Sequence, residues 1–188
     1  MSLAPKTRYD GVAMTIHWLT AVLMIYMVFL GEDLMKSGMR AARAGAGADA
    51  TFQPSIHVSI GLTILLLTLL RVVWRLTHTA PAYPATMKRY EVVGSKSLHG
   101  LFYLLLIGLP ITGWLSFGEV VARLPALAGT SFYGVLPVPA APVTSRIFGE
   151  MHGLGSNLAM ALIGLHVLAA LKHQFIDSDG VFGRMLPW

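Results

Sequence analysis

Apolar positions along the chain gather into four runs separated by polar or proline-rich stretches. The first runs from Val12 to Leu30 without an Asp, Glu, Lys or Arg. The second begins at Ile56 and continues through Arg71 and Arg75 to about Leu76. The third covers Leu98 to Phe117, and the fourth His152 to Leu171 with a continuation toward Phe175. A helix needs about 20 apolar residues to cross the hydrocarbon core. The pattern therefore predicts transmembrane helices over about 12–31, 56–76, 97–117 and 151–175. The fold class that follows is all-α, a transmembrane four-helix bundle in a single domain over 1–188. Pro110 is expected to bend the third helix.

Three connections join the runs. Residues 31–55 are polar and include the tract AARAGAGADA, so a mobile loop is expected. Residues 77–97 carry Pro81 and Pro84. Residues 118–151 carry Pro125, Pro137, Pro139 and Pro142, yet are apolar enough to lie on the membrane surface, with a short helix expected.

Composition agrees. Hydrophobic residues make up 55% and charged residues 12%, against about 25% charged in a soluble domain. Mean hydropathy is +0.64. The first run follows Lys6 and Arg8, as a signal peptide would, but it is too long and lacks a small-residue cleavage site, so it reads as retained. The net charge of +5 does not point to nucleic acid, because the charges lie between the apolar runs and report topology. One side holds Lys6, Arg8, Arg71, Arg75, Lys88, Arg89, Lys96, Lys172 and Arg184. The other holds only Lys36, Arg40, Arg43, Arg123 and Arg146, balanced by as many acids. Both termini and the central connection are therefore expected to be cytoplasmic. With no cysteine, disulfides, thiolate catalysis, iron–sulfur clusters and covalent haem attachment are excluded.

The chemistry sits in the histidines. Six of seven lie within or at the ends of the helices: His17, His57, His99, His152, His166 and His173. Polar residues at such depth are costly and usually functional. Chain direction sorts them by depth. His57 and His152 fall together near the periplasmic surface, and His17 and His166 at an intermediate depth on the cytoplasmic side. His99 and His173 form a shallower cytoplasmic pair. Spacings of 14 and 7 place His152, His166 and His173 on one stripe of the fourth helix, which must face the bundle interior.

Opposed neutral imidazoles suit the two axial positions of a haem. A bare zinc or copper site would want further ligands, and the apolar runs supply no carboxylate or thiolate. Packing or proton-relay histidines are the bland alternative, as is a non-redox scaffold or pore. Gly61, Gly153, Gly155 and Gly164 leave room for a macrocycle, though glycine is common in membrane helices. Arg71, Arg75 and Lys96 are candidate partners for haem propionates or a quinone oxygen, or else positive-inside anchors. Trp18, Trp74 and Trp114 read as interfacial anchors.

The stretches YDGVAMTIHWLTAVLMI, IHVSIGLTILLLTLLRVVWRL, SLHGLFYLLLIGLPITGW and MHGLGSNLAMALIGLHVLAALKHQF, with a tail ending in RMLPW, resemble the prokaryotic cytochrome b-561 family. The resemblance covers all four helices, and the H-x13-H-x6-H spacing is its most specific element. It implies an inner-membrane protein with two haem b groups and a ubiquinone partner from the quinone pool on the cytoplasmic side. By position it implies His57 and His152 as ligands of one haem iron, His17 and His166 as ligands of the other, and His99 and His173 as quinone-side residues. It further implies electron transfer from superoxide to ubiquinone. The alternative is a membrane cytochrome subunit serving a periplasmic redox protein or dehydrogenase within a larger complex. Superoxide is an anion and calls for a positive funnel, whereas the periplasmic loops here sum to zero. Arg40, Arg43, Arg123 or Arg146 remain to focus charge locally.

Overall fold

The computed structural model describes residues 7–186; Lys6 and the Pro187 and Trp188 of the tail lie outside them. Four long helices dominate: α1 (Gly11–Arg43), α2 (Phe52–Thr77), α3 (Arg89–Arg123) and α4 (Arg146–Lys172). All four are long and apolar enough to cross a membrane. They form a transmembrane four-helix bundle in which α1 pairs with α2 and α3 with α4 as antiparallel hairpins. Helices α2 and α3 join the hairpins, and α1 touches α4 only sparingly.

Local chemistry sets the helix starts. Asp10 caps α1 by accepting the Ala13 N–H at 2.9 Å, and its carboxylate also takes the Trp74 indole N–H at 3.1 Å. The backbone N–H at Lys88 donates to the Glu91 carboxylate at 2.9 Å, closing a capping box on α3. Pro110 sits inside α3 without ending it.

Every helix outruns its apolar run. Helix α1 has 33 residues, about 50 Å at 1.5 Å per residue, where the hydrocarbon core needs about 30 Å. Its last three turns were expected to be loop. They are helical because the sequence turns amphipathic rather than irregular: Leu34 and Gly38 are buried, while Glu32 and Lys36 pair outward. Gly38 is where Pro54 crosses, and a Cβ there would collide with the proline ring and come within 2.7 Å of the Ala50 carbonyl. The Ala/Gly tract expected to be mobile ends in a 3-10 helix (Gly47–Thr51) whose Ala50 is fully buried. The expected surface helix in 118–151 is a 3-10 turn (Pro125–Gly129), followed by a small hairpin of β1 (Ser131–Phe132) and β2 (Leu136–Pro137). Helix α4 ends in a wider π turn over His173–Asp177.

The start and end of the described chain meet on one face. The Tyr9 N–H donates to the Arg184 carbonyl at 3.2 Å, Arg8 to that of Leu186, and Trp18 to that of Met185 at 2.7 Å. Arg184 bonds the Ala82 carbonyl of the central connection. This is the terminus side; the 3-10 turns Gly47–Thr51 and Pro125–Gly129 and the hairpin lie on the distal side.

At mid-depth Met24, Ile64, Leu106 and Ala159, one from each helix, form the buried core. Stepping seven residues from each, in both directions, organises the whole interior. Toward the terminus side the steps reach His17, Arg71, His99 and His166. Toward the distal side they reach Gly31, His57, Gly113 and His152. A seven-residue step is about 10.5 Å of rise, and a seven-residue repeat is what a left-handed bundle keeps on its inner seam. The interior is three layers, apolar in the middle and histidine-bearing at both ends.

Candidate functional site

The distal layer is built from glycine and histidine in alternation. His57 and His152 approach with ring centroids 6.0 Å apart and planes at 53°. Each ring is held by backbone of the neighbouring helix: His57 Nδ1 lies 2.8 Å from the Gly31 carbonyl oxygen, and His152 Nδ1 2.8 Å from that of Leu109. A carbonyl only accepts, so each Nδ1 carries the hydrogen and each Nε2 keeps its lone pair. The glycines permit this approach. A Cβ at Gly113 would sit 3.1 Å from two atoms of the His152 ring, and one at Gly31 3.5 Å from the His57 ring.

The terminus-side layer is built differently. His17 and His166 stand 6.3 Å apart, centroid to centroid, with planes at 79°. Among the described residues neither ring is hydrogen-bonded; aromatic edges hold them instead. Trp18 lies 5.4 Å from His17 and Phe102 5.6 Å from His166. His99 joins the same layer with its ring 5.6 Å from that of His166 and its Nδ1 2.6 Å from the Ser95 carbonyl. Arg71 completes the layer, its guanidinium 5.9 Å from the Tyr103 ring centre. Arg71 is thus an interior residue, not only an anchor at the membrane surface.

The expected third pair does not meet. His99 packs beside His166, whereas His173 turns to two acids of the chain that follows it. Its Nδ1 lies 2.7 Å from Asp179 and 3.2 Å from Asp177. The π turn swings the chain so that Asp177 also receives Lys172, which reaches across to Glu91 of α3 at 2.8 Å. The signal available in the sequence is the spacing His173-x3-Asp177-x-Asp179. Of the remaining candidates, Lys96 lies over the Tyr83 ring at 5.9 Å, and Arg75 stands in the last turn of α2.

What the layers can hold follows from their geometry. Two metal–imidazole bonds of about 2.0–2.1 Å, with about 1.1 Å from each coordinating nitrogen to its ring centre, span roughly 6 Å. Both histidine pairs are at that separation. Neither pair has a third ligand: among the described residues the one group of three or more His, Asp or Glu ligand atoms within reach of a common ion is His173, Asp177 and Asp179. Two imidazoles without a further ligand suit the axial positions of a haem and not a tetrahedral zinc. The near-absence of contact between α1 and α4, with open space at Gly61, Gly153 and Gly164, leaves room for a flat macrocycle.

The likeness to known proteins runs the length of the bundle. The family model described as prokaryotic cytochrome b561 matches residues 8–188. The chain is 27% identical to cytochrome b561 homolog 2 of Escherichia coli (strain K12), over 95% of this chain and 91% of that protein. It is 28% identical to a probable superoxide oxidase CybB of Yersinia pestis, over 96% of each. It is 29% identical to cytochrome b562 of Cereibacter sphaeroides, over 98% of each. Four apolar helices, histidines opposed at two depths and a match over nearly the whole chain agree: this is a multi-pass bacterial membrane electron-transfer protein of the prokaryotic cytochrome b561 family.

Proposed function

We propose that the protein is a di-haem b-type cytochrome that carries electrons across the inner membrane, from superoxide on the distal side to ubiquinone on the terminus side. The terminus side is then cytoplasmic and the distal side periplasmic, in keeping with the Lys and Arg bias. The observation that carries this reading is the pair of opposed histidines in each end layer, 6.0 and 6.3 Å apart. A b-type haem is implied by the family. His57 and His152 would hold one haem and His17 and His166 the other, and each haem when bound supplies a reversible one-electron couple.

The chain's own residues do the rest. The Gly31 and Leu109 carbonyls fix the distal imidazoles in one tautomer and one orientation, as outer-shell carbonyls do for metal-bound histidine. The apolar middle layer keeps water and protons out of the roughly 21 Å between His152 and His166. Arg71 offers a positive charge to an anionic propionate or quinone oxygen. His99, its Nδ1 engaged by the Ser95 carbonyl, adds a third imidazole to the terminus-side layer. His173, hydrogen-bonded through Nδ1 to Asp179 with Asp177 3.2 Å away, would pass protons on that side. The balance is two superoxide anions oxidised to two dioxygen, with two electrons and two cytoplasmic protons converting one ubiquinone to ubiquinol. On the distal side Arg123 pairs with Glu119 and Arg146 with Glu150. Arg40 and Arg43 make no ion pair among the described residues, which leaves them to attract an anion. Superoxide as donor draws on the relative named a probable superoxide oxidase.

A second reading rests on a specific feature. Helices α1, α3 and α4 all continue past the apolar runs on the distal side, giving a folded platform on which a periplasmic redox protein could dock. The protein would then be the membrane subunit of a larger complex. An optical spectrum and haem quantitation of the purified protein test the shared part; two low-spin b haems per chain are expected. A superoxide pulse then separates the readings. Rapid haem reduction supports the first, and haems that stay oxidised until a co-purified partner is supplied refute it.

A further inference from the structure

The hairpin in the connection between α3 and α4 is attached to an unexpected place. Ser55, Ser59 and Thr63 of α2 lie four residues apart and so share one face, while His57, two residues from Ser55 and Ser59, points the opposite way. Since His57 faces the interior, the hydroxyl face points outward, toward lipid. The hairpin covers it. The Ser131 N–H donates to Ser55 Oγ at 3.1 Å and the Tyr133 N–H to Ser59 Oγ at 2.8 Å. The Tyr133 hydroxyl lies 2.8 Å from that of Thr63.

Depth can be read from two helices. Gly31 closes the apolar run of α1, and Glu32 and Asp33 follow it. His57 is bonded to Gly31 and marks the same level on α2. Ser59 and Thr63 lie two and six residues further in, about 3 and 9 Å deeper. On α3, Trp114 is five residues short of the first charge, Glu119, and its indole N–H donates to the Pro139 carbonyl at 2.8 Å. Tyr133 and Pro139 therefore sit below the level of the first charged residues, while Ser131, bonded to Ser55, stands at that level.

A backbone can lie there only if its polar groups are satisfied by protein, and many of this segment's are. One edge of β1 pairs with β2, and the other gives its N–H groups to the α2 serines. The Val135 N–H closes the turn on the Phe132 carbonyl at 3.1 Å, and that of Val138 reaches Thr130 at 3.4 Å. Pro137, Pro139 and Pro142 have no N–H to satisfy. Tyr133 and Gly134 take left-handed conformations, φ 54° and 74°. For tyrosine that is a strained state, held here by the bonds to Ser59 and Thr63. From Leu124 to Ser145 the chain has no charged residue, and the tip leaves Val135 77% and Leu136 58% exposed.

We propose that this hairpin is a re-entrant lipid-contacting element, inserted into the distal leaflet beside α2 with Val135 and Leu136 among the upper acyl chains. Its partner is the phospholipid bilayer, and the hydroxyl stripe of α2 is the socket that lets its backbone enter.

The absence of cysteine makes the test direct. Haem-loaded Val135→Cys and, independently, Leu136→Cys are labelled with an environment-sensitive fluorophore in phospholipid vesicles, with exposed Ala48→Cys as reference. The expected result is blue-shifted emission at 135 and 136, quenched several-fold more by a nitroxide high on the acyl chain than at 48, and spared by aqueous iodide. A retained Soret band certifies the fold of each variant. Iodide quenching equal to that at 48 overturns the proposal. So does energy transfer between labelled copies that rises with protein density while lipid nitroxides have no effect, because a second copy then covers the tip.

Discussion

The two end layers of the bundle present the same motif, a histidine from each hairpin facing its partner across the axis, yet they are held by different means. In the distal layer α1 and α3 contribute glycine and a carbonyl, so that helix backbone grips the rings of His57 and His152. In the terminus-side layer the corresponding positions of α2 and α3 carry Arg71 and His99, and aromatic edges hold His17 and His166. The first layer has one rigid tautomer and no charge. The second has a permanent cation and a third imidazole. A rigid, neutral site suits one-electron exchange alone, while a charged, multi-imidazole site suits chemistry in which electrons and protons arrive together.

That contrast can be broken or sharpened. The largest effects come from the ligands. Under the di-haem proposal His57→Ala and His17→Ala each remove one of two haems, read by pyridine haemochrome, with opposite haems surviving in the reduced-minus-oxidised spectrum. Identical residual spectra would break the assignment. Next is Gly113→Ala, whose Cβ would press on the His152 ring at 3.1 Å. Overpacking of this kind costs about 1–3 kcal/mol, so the distal low-spin electron paramagnetic resonance signal should shift while the other stays. Gly31→Ala, with its ring contact at 3.5 Å, should act in the same direction but more weakly.

Arg71→Gln probes the other layer. Removing a cation disfavours the reduced state, so the midpoint potential of the terminus-side haem should fall, on the order of 50 mV, equivalent to about 1 kcal/mol for one electron. The distal potential should not move, and haem content should be unchanged; equal shifts in redox titration would show that the layers are not electrostatically separate. The smallest effect lies outside both. Asp10 has its carboxyl held below the usual range, chiefly by the Ala13 N–H. Its stabilisation is therefore present above the unfolded pKa and lost as pH falls through the lower folded value. Asp10→Ala should cost about 1 kcal/mol at neutral pH and flatten the acid end of a thermal-stability profile.

Much of this was legible beforehand. Hydropathy located four helices, and chain direction sorted His17, His57, His152 and His166 by depth, because depth in a spanning helix is simply position along the chain. The ends were less legible. The apolar run measures the thickness of hydrocarbon, not the length of helix, so the extension of α1 to Arg43 escaped it. His99 stands in the layer of His166, seven residues short of His173 along the fourth helix, so the two that were paired by depth belong to different levels. The role of Asp177 and Asp179 depended on a π turn that no periodicity announces. The serines of α2 read as ordinary polar interruptions until a distant hairpin was found bonded to them.

By itself the sequence determined the number of helices, their alternating direction and the order in depth of His17, His57, His152 and His166. Those are properties of one helix at a time in a layered solvent. Which ring meets which, that glycine backbone grips one pair and Arg71 attends the other, and where the α3–α4 connection returns, only the tertiary structure decided. Each depends on how neighbouring helices are turned about their own axes. That rotation is set by side-chain packing and backbone hydrogen bonds between segments far apart in the chain.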